Sequence, residues 1–151
     1  MRAMTQADVD AVLAIEQVVQ RFPWTRGNFS DALASGYLCS VHEKGGKIRG
    51  YTVMMQAADE AELLNIGVAT DQQRKGLGRI MLSEMLEDAR GRNMRSVFLE
   101  VHPTNVGAIA LYRSAGFSKI GVRRGYYRNA GSSEDAITMV CELMPGERVN
   151  G

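Results

Sequence analysis

Two glycines and three basic residues lie together in the segment 73–79, Gln-Arg-Lys-Gly-Leu-Gly-Arg, between an apolar run and an amphipathic helical pattern. Backbone N–H groups in the first turn of a helix have no partner within the helix, and the helix dipole attracts negative charge there. Glycines allow a ligand to approach these N–H groups closely. The segment is therefore predicted to bind an anion, and a pyrophosphate fits it best. The candidate binding residues are Arg74, Lys75, Gly76, Leu77, Gly78 and Arg79.

The segment does not match either of two common phosphate-binding motifs. A dinucleotide-binding fingerprint needs a third glycine at position 81, where this chain has Met81. A Walker loop needs a glycine five residues before a Gly-Lys pair and a Ser or Thr after it. The pair Gly46-Lys47 has Val41 at the first position and an isoleucine after it. The sequence thus predicts a phosphate site of a third kind.

Two side chains downstream of this segment are suited to proton transfer. Glu100 is a charged residue in the otherwise apolar run 97–101, at the end of a predicted strand. Tyr112 lies on the next predicted helix, on the same face as Ala108. The residues alone leave open whether Glu100 simply faces solvent and whether Tyr112 is a core residue, the commoner role of such a tyrosine. Asn105 is suited to cap the start of that helix.

Hydrophobic periodicity and capping residues predict the elements that must position these side chains. Helices are predicted over about 6–20, 26–35, 77–91 and 106–115. Strands are predicted over 37–43, 48–56, 62–69, 96–101, 117–124 and 136–143, with a polar loop over 129–134. Strand–helix–strand alternation in the middle of the chain implies a partly parallel sheet. The predicted fold class is therefore α/β, with a mixed central sheet and helices on both faces.

Composition narrows the class of protein further. The 151 residues suit one domain, predicted over 1–144, with a flexible tail over 145–151. The net charge of +1 gives no reason to expect direct binding to nucleic acid. The chain has neither a run of about 18 apolar residues nor a signal-peptide pattern, so no membrane contact is expected. Cys39 and Cys141 lie in apolar runs and are predicted to be buried, reduced thiols of a cytoplasmic protein.

The segment 73–78 resembles the acetyl-coenzyme-A loop of the GNAT superfamily of N-acetyltransferases, whose pattern is Gln/Arg-x-x-Gly-x-Gly/Ala. The resemblance implies that acetyl-CoA is the co-substrate, that the loop amides hold its pyrophosphate, and that no metal is required. It also implies that the strand through Ile66, Gly67 and Val68 pairs with the pantetheine arm of coenzyme A. That strand would splay from its parallel neighbour to admit the arm.

A longer resemblance, over about residues 3–143, is to the RimI branch of this superfamily, the ribosomal-protein alanine N-acetyltransferases. It is carried by the segments 22–24, 65–68, 98–117, 123–127 and 134–137. It implies that Glu100 accepts a proton, that Tyr112 donates one, and that Asn105 contacts the cofactor. The implied acceptor is a protein N-terminus, the N-terminal alanine of the eighteenth small-subunit ribosomal protein. Two residues depart from the usual pattern: His102 replaces a common Arg, and Gly67 replaces a common Ala.

Several alternatives remain open at the sequence level. A transferase of the same fold that acetylates lysine side chains or small amines has the same motifs. A non-catalytic acyl-CoA sensor would also need the loop, although the presence of both Glu100 and Tyr112 disfavours it. A cysteine nucleophile is disfavoured because Cys39 lies inside a predicted strand, so direct transfer is expected. One interpretation of the acceptor side is a groove with Arg124, Tyr126 and Tyr127 on one wall and the segment 22–24 with the short helix after it on the other. The alternatives are that these tyrosines and the arginines at 123 and 124 are ordinary surface residues, and that Trp24 belongs to the core.

Overall fold

The computed structural model describes residues 1–129 and 132–143, and for residues 123–129 and 132–135 it describes the backbone alone. The described helices are α1 (Val9–Val19), α2 (Arg26–Ala34), α3 (Leu77–Gly91) and α4 (Val106–Ser114). The described strands are β1 (Arg2–Ala3), β2 (Leu38–Lys44), β3 (Lys47–Ala57), β4 (Glu60–Val68), β5 (Ser96–Val101), β6 (Ser118–Asn129) and β7 (Ser132–Glu142). Single turns of 3-10 helix occupy Gln6–Asp8 and Thr70–Gln72.

The strands form one mixed sheet in the order β1-β2-β3-β4-β5-β7-β6. The β4–β5 pair is parallel, and the β1–β2, β2–β3, β5–β7 and β6–β7 pairs are antiparallel. The parallel register joins Glu60–Leu63 to residues 96–99, whereas β4 continues to Val68 and β5 to Val101. The mixed sheet predicted from the sequence is thereby confirmed.

The chain divides into two compact units, which share β4 and α3. The first unit consists of Met1–Gln56 and Leu64–Met85, and the second of Ala57–Leu63 and Leu86–Gly151. In the first unit, Phe29 lies at the centre of an aromatic cluster, with ring centroids 5.0 Å from Trp24 and 5.9 Å from Tyr51. In the second unit, Val97, Leu99 and Met139 are among the buried residues of β5 and β7. The predicted single domain of residues 1–144 stays a prediction.

Side-chain caps explain why α2 and α4 begin where the sequence predicts, whereas the helix predicted from about residue 6 begins as the 3-10 turn Gln6–Asp8 and α1 follows at Val9. Thr25 Oγ1 accepts a hydrogen bond from the Asn28 amide at 3.2 Å, and Asn105 Oδ1 accepts one from Ala108 at 3.2 Å. Before α1, the Thr5 amide donates to Asp8 Oδ2 at 2.8 Å. These bonds satisfy N–H groups that a helix end otherwise leaves without a partner. The predicted apolar face of α3 is buried throughout, at Leu77, Met81, Leu82, Met85, Leu86 and Ala89.

The C-terminal hairpin is where the sequence prediction is wrong. Strands over 117–124 and 136–143 with a polar loop over 129–134 were expected, but β6 runs to Asn129 and β7 begins at Ser132. Antiparallel pairing continues through Tyr127 with Glu134 and Arg128 with Ser133. Polar residues are compatible with this because the ladder is made by backbone groups. The loop prediction failed because it relied on side-chain polarity.

Strand β1 pairs with β2 and was missed by the sequence analysis. It is only two residues long, which is too short for a periodic pattern to indicate a strand. Within the part of the chain that the structure describes, every helix is too short or too polar to cross a membrane.

Candidate active site

The predicted anion-binding segment lies in the first unit, between the end of β4 and the start of α3. The carbonyl oxygen of Gly76 accepts the first helical hydrogen bond, from the Ile80 amide at 3.1 Å. The amides of Leu77, Gly78 and Arg79 therefore occupy the first three helical positions, where N–H groups point out of the helix. This is the arrangement that binds phosphate at a helix N-terminus.

The backbone conformation of this segment explains why position 76 is a glycine. Gly76 has φ of +82°, in the left-handed region that side chains disfavour, and nothing lies within 4 Å of the position of a Cβ there. Arg74 has φ of +65° and is exposed, as are Lys75 and Arg79. The loop thus presents three cations beside the outward amides, which strengthens its attraction for a polyanion.

Gln73 ties this loop to the strand that precedes it. Its side-chain Nε2 donates to the Val68 carbonyl oxygen at 3.0 Å. On the other side of the turn, the Ala69 amide donates to the Arg49 carbonyl on β3 at 2.8 Å. The end of β4 and the loop are therefore held together as one piece of backbone. Sequence reasoning recognised Gln73 as part of the motif but assigned it no contact.

Alternation along β4 separates two faces of the predicted pantetheine-binding strand. Asn65 and Gly67 are buried on one face, whereas Ile66 and Val68 are half-buried on the other. A Cβ on Gly67 would overlap the hydroxyl of Tyr51. The glycine is therefore required by close approach of a neighbouring side chain, and not by a bulge or a bend at this position.

A buried polar cluster on the same face was missed by the sequence analysis. The Glu16 carboxylate is fully buried. It accepts hydrogen bonds from Tyr51 Oη at 2.7 Å, from Asn65 Nδ2 at 2.9 Å and from the Trp24 amide at 2.9 Å. Burial, followed by the Glu16 charge, raises the pKa of Tyr51 far above its usual range, so its hydroxyl stays protonated and donates. The sequence signal that could have predicted burial of Glu16 is its spacing: it follows the buried Val12 by four residues and so lies on the same face of α1.

Glu100 lies in the second unit on β5, half-buried and paired in register with Thr138 of β7. Thr138 Oγ1 donates to Glu100 Oε2 at 2.8 Å. This bond fixes the orientation of the carboxylate. Glu100 also lies one residue beyond Leu99, the last β5 residue of the parallel register with β4. The structure therefore places Glu100 where the parallel register ends, rather than at a solvated end of the sheet.

Tyr112 also lies in the second unit, on α4, and is 8% exposed. Its ring meets that of Phe117 at a centroid distance of 5.9 Å, and its carbonyl accepts from the Phe117 amide at 3.0 Å. The ring is therefore a packed anchor, which fixes the direction of the hydroxyl. Burial of the ring was one of the two roles left open by the sequence, and it is compatible with a proton donor at the tip.

Residues between β5 and α4 form a compact turn. His102 Nδ1 lies 3.1 Å from the Thr104 amide, which donates to it, and 2.6 Å from Thr104 Oγ1. The Asn105 amide donates to the His102 carbonyl at 3.0 Å, and Asn105 Oδ1 caps α4. His102, the departure from the usual pattern, thus helps to shape the turn that sets the start of α4.

The predicted acceptor-side residues are only partly described. Trp24 packs against the core of the first unit, next to Phe29, and is best understood as a structural residue. Phe22 is half-buried, with the Arg21 guanidinium 5.2 Å from its ring centroid. The side chains of Arg123, Arg124, Tyr126 and Tyr127 lie outside the described part of the chain, as do residues 130, 131 and 144–151. The predicted opposite wall of the groove therefore stays a prediction.

Other candidate chemistry finds little support among the described residues. Cys39 and Cys141 are buried, and burial raises the pKa of both, that of Cys39 to about 11. Neither thiol is thus suited to act as a thiolate nucleophile near neutral pH. Among the side chains that the structure describes, no cluster of three metal-ligating groups occurs. A groove of about 670 Å³ in the first unit, beside α1 and the β2–β3 hairpin, has none of the predicted site residues in its lining.

Comparison with known proteins places this geometry in a family. A family model described as "Acetyltransferase (GNAT) family" matches residues 9–117. The [ribosomal protein bS18]-alanine N-acetyltransferase of Escherichia coli strain K12 is 36% identical over 141 residues, which is 93% of this chain and 95% of that protein. The N-alpha-acetyltransferase RimI of Mycobacterium tuberculosis is 40% identical over 144 residues, 91% of this chain and 88% of that protein. The crystal structure of the Escherichia coli ribosomal-protein-S18-alanine N-acetyltransferase superimposes with a TM-score of 0.86 at 35% identity, covering 93% of this chain and 91% of that one.

Proposed function

This chain belongs to the GNAT family of acetyltransferases, and from that premise we propose that it transfers an acetyl group from acetyl-CoA to the N-terminal α-amine of a protein. The proposed acceptor is the N-terminal alanine of ribosomal protein bS18, on which similar enzymes act by name. The observation that carries the proposal is a half-buried carboxylate, Glu100, fixed by Thr138 where the parallel β4–β5 register ends.

The proposed donor site uses backbone groups more than side chains. The amides of Leu77, Gly78 and Arg79 bind the pyrophosphate of acetyl-CoA, with Arg74 and Lys75 adding positive charge. Backbone groups of Ile66, Gly67 and Val68 pair with the pantetheine arm, and Asn105 contacts the cofactor from the start of α4. Because Gln73 fixes the loop to Val68, both parts of the donor are held by one rigid segment.

The proposed chemistry begins with a proton. An ammonium cannot attack a thioester, so Glu100 removes a proton from the acceptor amine, through a water molecule. The amine nitrogen then attacks the acetyl carbonyl carbon, and the backbone amide near Val68 donates to the developing oxyanion. The C–S bond breaks as the tetrahedral intermediate collapses, and the thiolate of coenzyme A takes a proton from Tyr112. The second proton lost by the amine nitrogen restores the Tyr112 hydroxyl through water, and Glu100 releases the first proton to solvent. One amide and one free thiol are formed.

An α-amine suits a modest base better than a lysine does. In short unstructured peptides the pKa is about 8 for an α-amine and about 10.4 for a lysine side chain, a difference of roughly 2.4 units. Deprotonation near neutral pH is therefore easier for the α-amine by roughly 3 kcal/mol. A modest base such as a carboxylate acting through water is therefore adequate for an α-amine.

The test is release of coenzyme A thiol with three matched peptides. The first begins with a free alanine, the second is the same peptide acetylated at its N-terminus, and the third is blocked but carries an added lysine. We expect turnover with the first peptide alone. Turnover with the third peptide would favour a lysine acetyltransferase, and binding of acetyl-CoA without turnover on any amine would favour a sensor.

Because both cysteines are buried, we expect the acetyl group to pass directly from acetyl-CoA to the amine, without an acyl-enzyme. A separate experiment tests this. The variants Cys39→Ala and Cys141→Ala should keep turnover within about threefold of wild type, since neither thiol takes part. Intact-mass measurement of enzyme quenched during turnover should show the unmodified chain. An acetylated chain that forms and decays at the rate of turnover, and that is missing in one of the two variants, would overturn direct transfer.

A further inference from the structure

The buried carboxylate of Glu16 joins three parts of the first unit. It accepts from Tyr51 on β3, from Asn65 on β4 and from the Trp24 amide in the segment after α1. Burying a charge without a full set of partners is costly, and an apolar side chain at this position would pack without that cost. The three donors come from three elements, so the carboxylate specifies their relative position.

A second side chain, from the residue that follows α1, reaches the same strand. Gln20 Nε2 donates to Asn65 Oδ1 at 3.0 Å and to the Ile66 carbonyl oxygen at 2.7 Å. The backbone of β4 at Ile66 is therefore fixed from the side of α1. Together with the Gln73 bond to Val68, these contacts hold both ends of the segment Asn65–Val68.

Tyr51 and Gly67 fit each other within this network. A Cβ on Gly67 would overlap the Tyr51 hydroxyl and would lie 2.8 Å from its Cε2. The hydroxyl that donates to Glu16 thus occupies the volume that any larger residue at position 67 would need. An alanine at 67 must displace either the phenol or the strand, and the phenol is fully buried.

We propose that Glu16, Tyr51 and Gly67 are positioning residues that hold the Asn65–Val68 segment of β4 in the conformation that binds the pantetheine arm of the acetyl donor. The proposal rests on the donor site described under the proposed function. The side chains of Glu16 and Tyr51 touch neither the donor nor the acceptor, and they act through the backbone of β4, to which Gly67 itself belongs.

The test is a double-mutant cycle made of wild type, Gly67→Ala, Tyr51→Phe and the double variant. Titration calorimetry measures the affinity of each for acetyl-CoA and for 3′-phospho-ADP, which carries the nucleotide and diphosphate but no pantetheine. Gly67→Ala should weaken acetyl-CoA binding about tenfold and leave 3′-phospho-ADP within about twofold. The double variant should bind acetyl-CoA about as tightly as Gly67→Ala alone, because the methyl group, which overlaps both the hydroxyl and Cζ of Tyr51, already displaces the phenol from the network.

A matched control separates positioning from simple loss of stability. Val53 is fully buried on β3, two residues from Tyr51, and Val53→Ala creates a cavity without touching the network. It should lower the melting temperature and leave the ratio of the two affinities unchanged. If Gly67→Ala does not fold, Tyr51→Phe alone still tests the proposal, with acetyl-CoA weakened about threefold and 3′-phospho-ADP unchanged.

Each outcome of the cycle either supports or overturns the positioning role. The positioning role would be overturned if the losses of acetyl-CoA affinity in Gly67→Ala and Tyr51→Phe simply multiplied in the double variant. Equal losses of affinity for acetyl-CoA and for 3′-phospho-ADP would overturn it too. Coupling in the melting temperature without coupling in the acetyl-CoA affinity would overturn it as well. The cycle needs no acceptor, so a wild type that binds acetyl-CoA and acetylates nothing contradicts the proposed function and leaves the positioning role standing. A wild type that does not bind acetyl-CoA overturns both.

Discussion

At the scale of single residues, Glu100 is marked by charge in an apolar strand and by the hydrogen bond from Thr138. Glu100→Gln keeps the size of the side chain and removes the base. Turnover near neutral pH should fall about 10²-fold, the low end of what general-base catalysis contributes. Acetyl-CoA affinity should stay within about twofold of wild type. Steady-state kinetics with the alanine-initiated peptide and calorimetry measure the two effects.

Thr138→Val is the matched control for that variant. It keeps the carboxylate but removes the donor that orients it, so a smaller loss of turnover, about threefold to tenfold, is expected. Parallel losses of turnover and of acetyl-CoA affinity in Glu100→Gln would mean that the carboxylate is structural.

Tyr112 offers a test in which only one hydroxyl changes. Its ring is anchored against Phe117, and Tyr112→Phe keeps that packing. Turnover should fall about 10²-fold while the melting temperature changes by less than about 2 °C. A stopped-flow measurement of thiol release, beside a thermal melt, gives both quantities. An unchanged rate would remove Tyr112 from the reaction.

The sequence alone identified residues whose chemical type stands out from their neighbours. It missed residues whose role depends on contacts with distant parts of the chain. Glu100, Tyr112 and Asn105 stand out by chemistry or by capping, and the resemblance to a family gave them roles. Glu16 looks like an ordinary acidic residue of an amphipathic helix, because its donors come from residues 24, 51 and 65. Such long-range partners exist only once the chain has folded.

At the scale of elements, helix starts were predictable because they are decided within a few residues. Thr25 and Asn105 cap helices at the predicted positions with side-chain bonds to residues three further on. The full length of the β6–β7 hairpin was not predictable, because backbone pairing between strands depends little on local polarity. The parallel β4–β5 register was likewise invisible, although strand–helix–strand order predicted that a parallel pair exists.

Two glycines at the ends of helix α3 should respond to replacement in opposite ways. Both positions are open, with nothing within 4 Å of a Cβ, but Gly76 has φ of +82° and Gly91 is helical. Gly76→Ala should cost about 1 kcal/mol of unfolding free energy, from left-handed backbone strain. Gly91→Ala should add about 0.5–1 kcal/mol, since alanine is the better helix former. Urea unfolding measures both, and a loss in each would contradict the backbone assignment.

At the scale of the whole molecule, the chain divides into two compact units. The anion-binding loop and the segment Asn65–Val68 lie in the first, whereas Glu100 and Tyr112 lie in the second. The fold class could be predicted because alternation of elements is a property of the chain's order. The membership of each residue in a unit could not, because it depends on packing between distant segments.

Acid stability should depend on the ion pair that precedes α1. Hydrogen bonds from Arg2 at 2.8 and 2.9 Å lower the pKa of Asp8 to about 2. A carboxyl group whose pKa is lowered by folding stabilises the protein above its unfolded pKa, near 3.8, and loses that effect as pH falls toward 2. Asp8→Asn should therefore lower the melting temperature by about 2–4 °C at pH 7, and the difference should shrink below about pH 4.

Asp10→Asn is the control for this prediction. Asp10 lies two residues further on, in the first turn of α1, and pairs with Arg26, but both side chains are mostly exposed. Its loss should change stability by less than about 0.5 kcal/mol. A difference between Asp8→Asn and wild type that is the same at pH 2 and pH 7 would show that the charge of Asp8 does not contribute.

The close packing of α3 on β3 has a consequence for oxidative chemistry. Met81 is 1% exposed, and its sulfur lies 2.5 Å from the position of a Cβ on Gly50. A sulfoxide oxygen on Met81 has no volume to occupy while helix and strand stay packed, so peroxide reaches this sulfur only when they separate. The rate at which Met81 gains one oxygen atom in dilute peroxide, followed by peptide mass spectrometry, thus reports how often the anion-binding helix opens. Saturating acetyl-CoA should slow that oxidation.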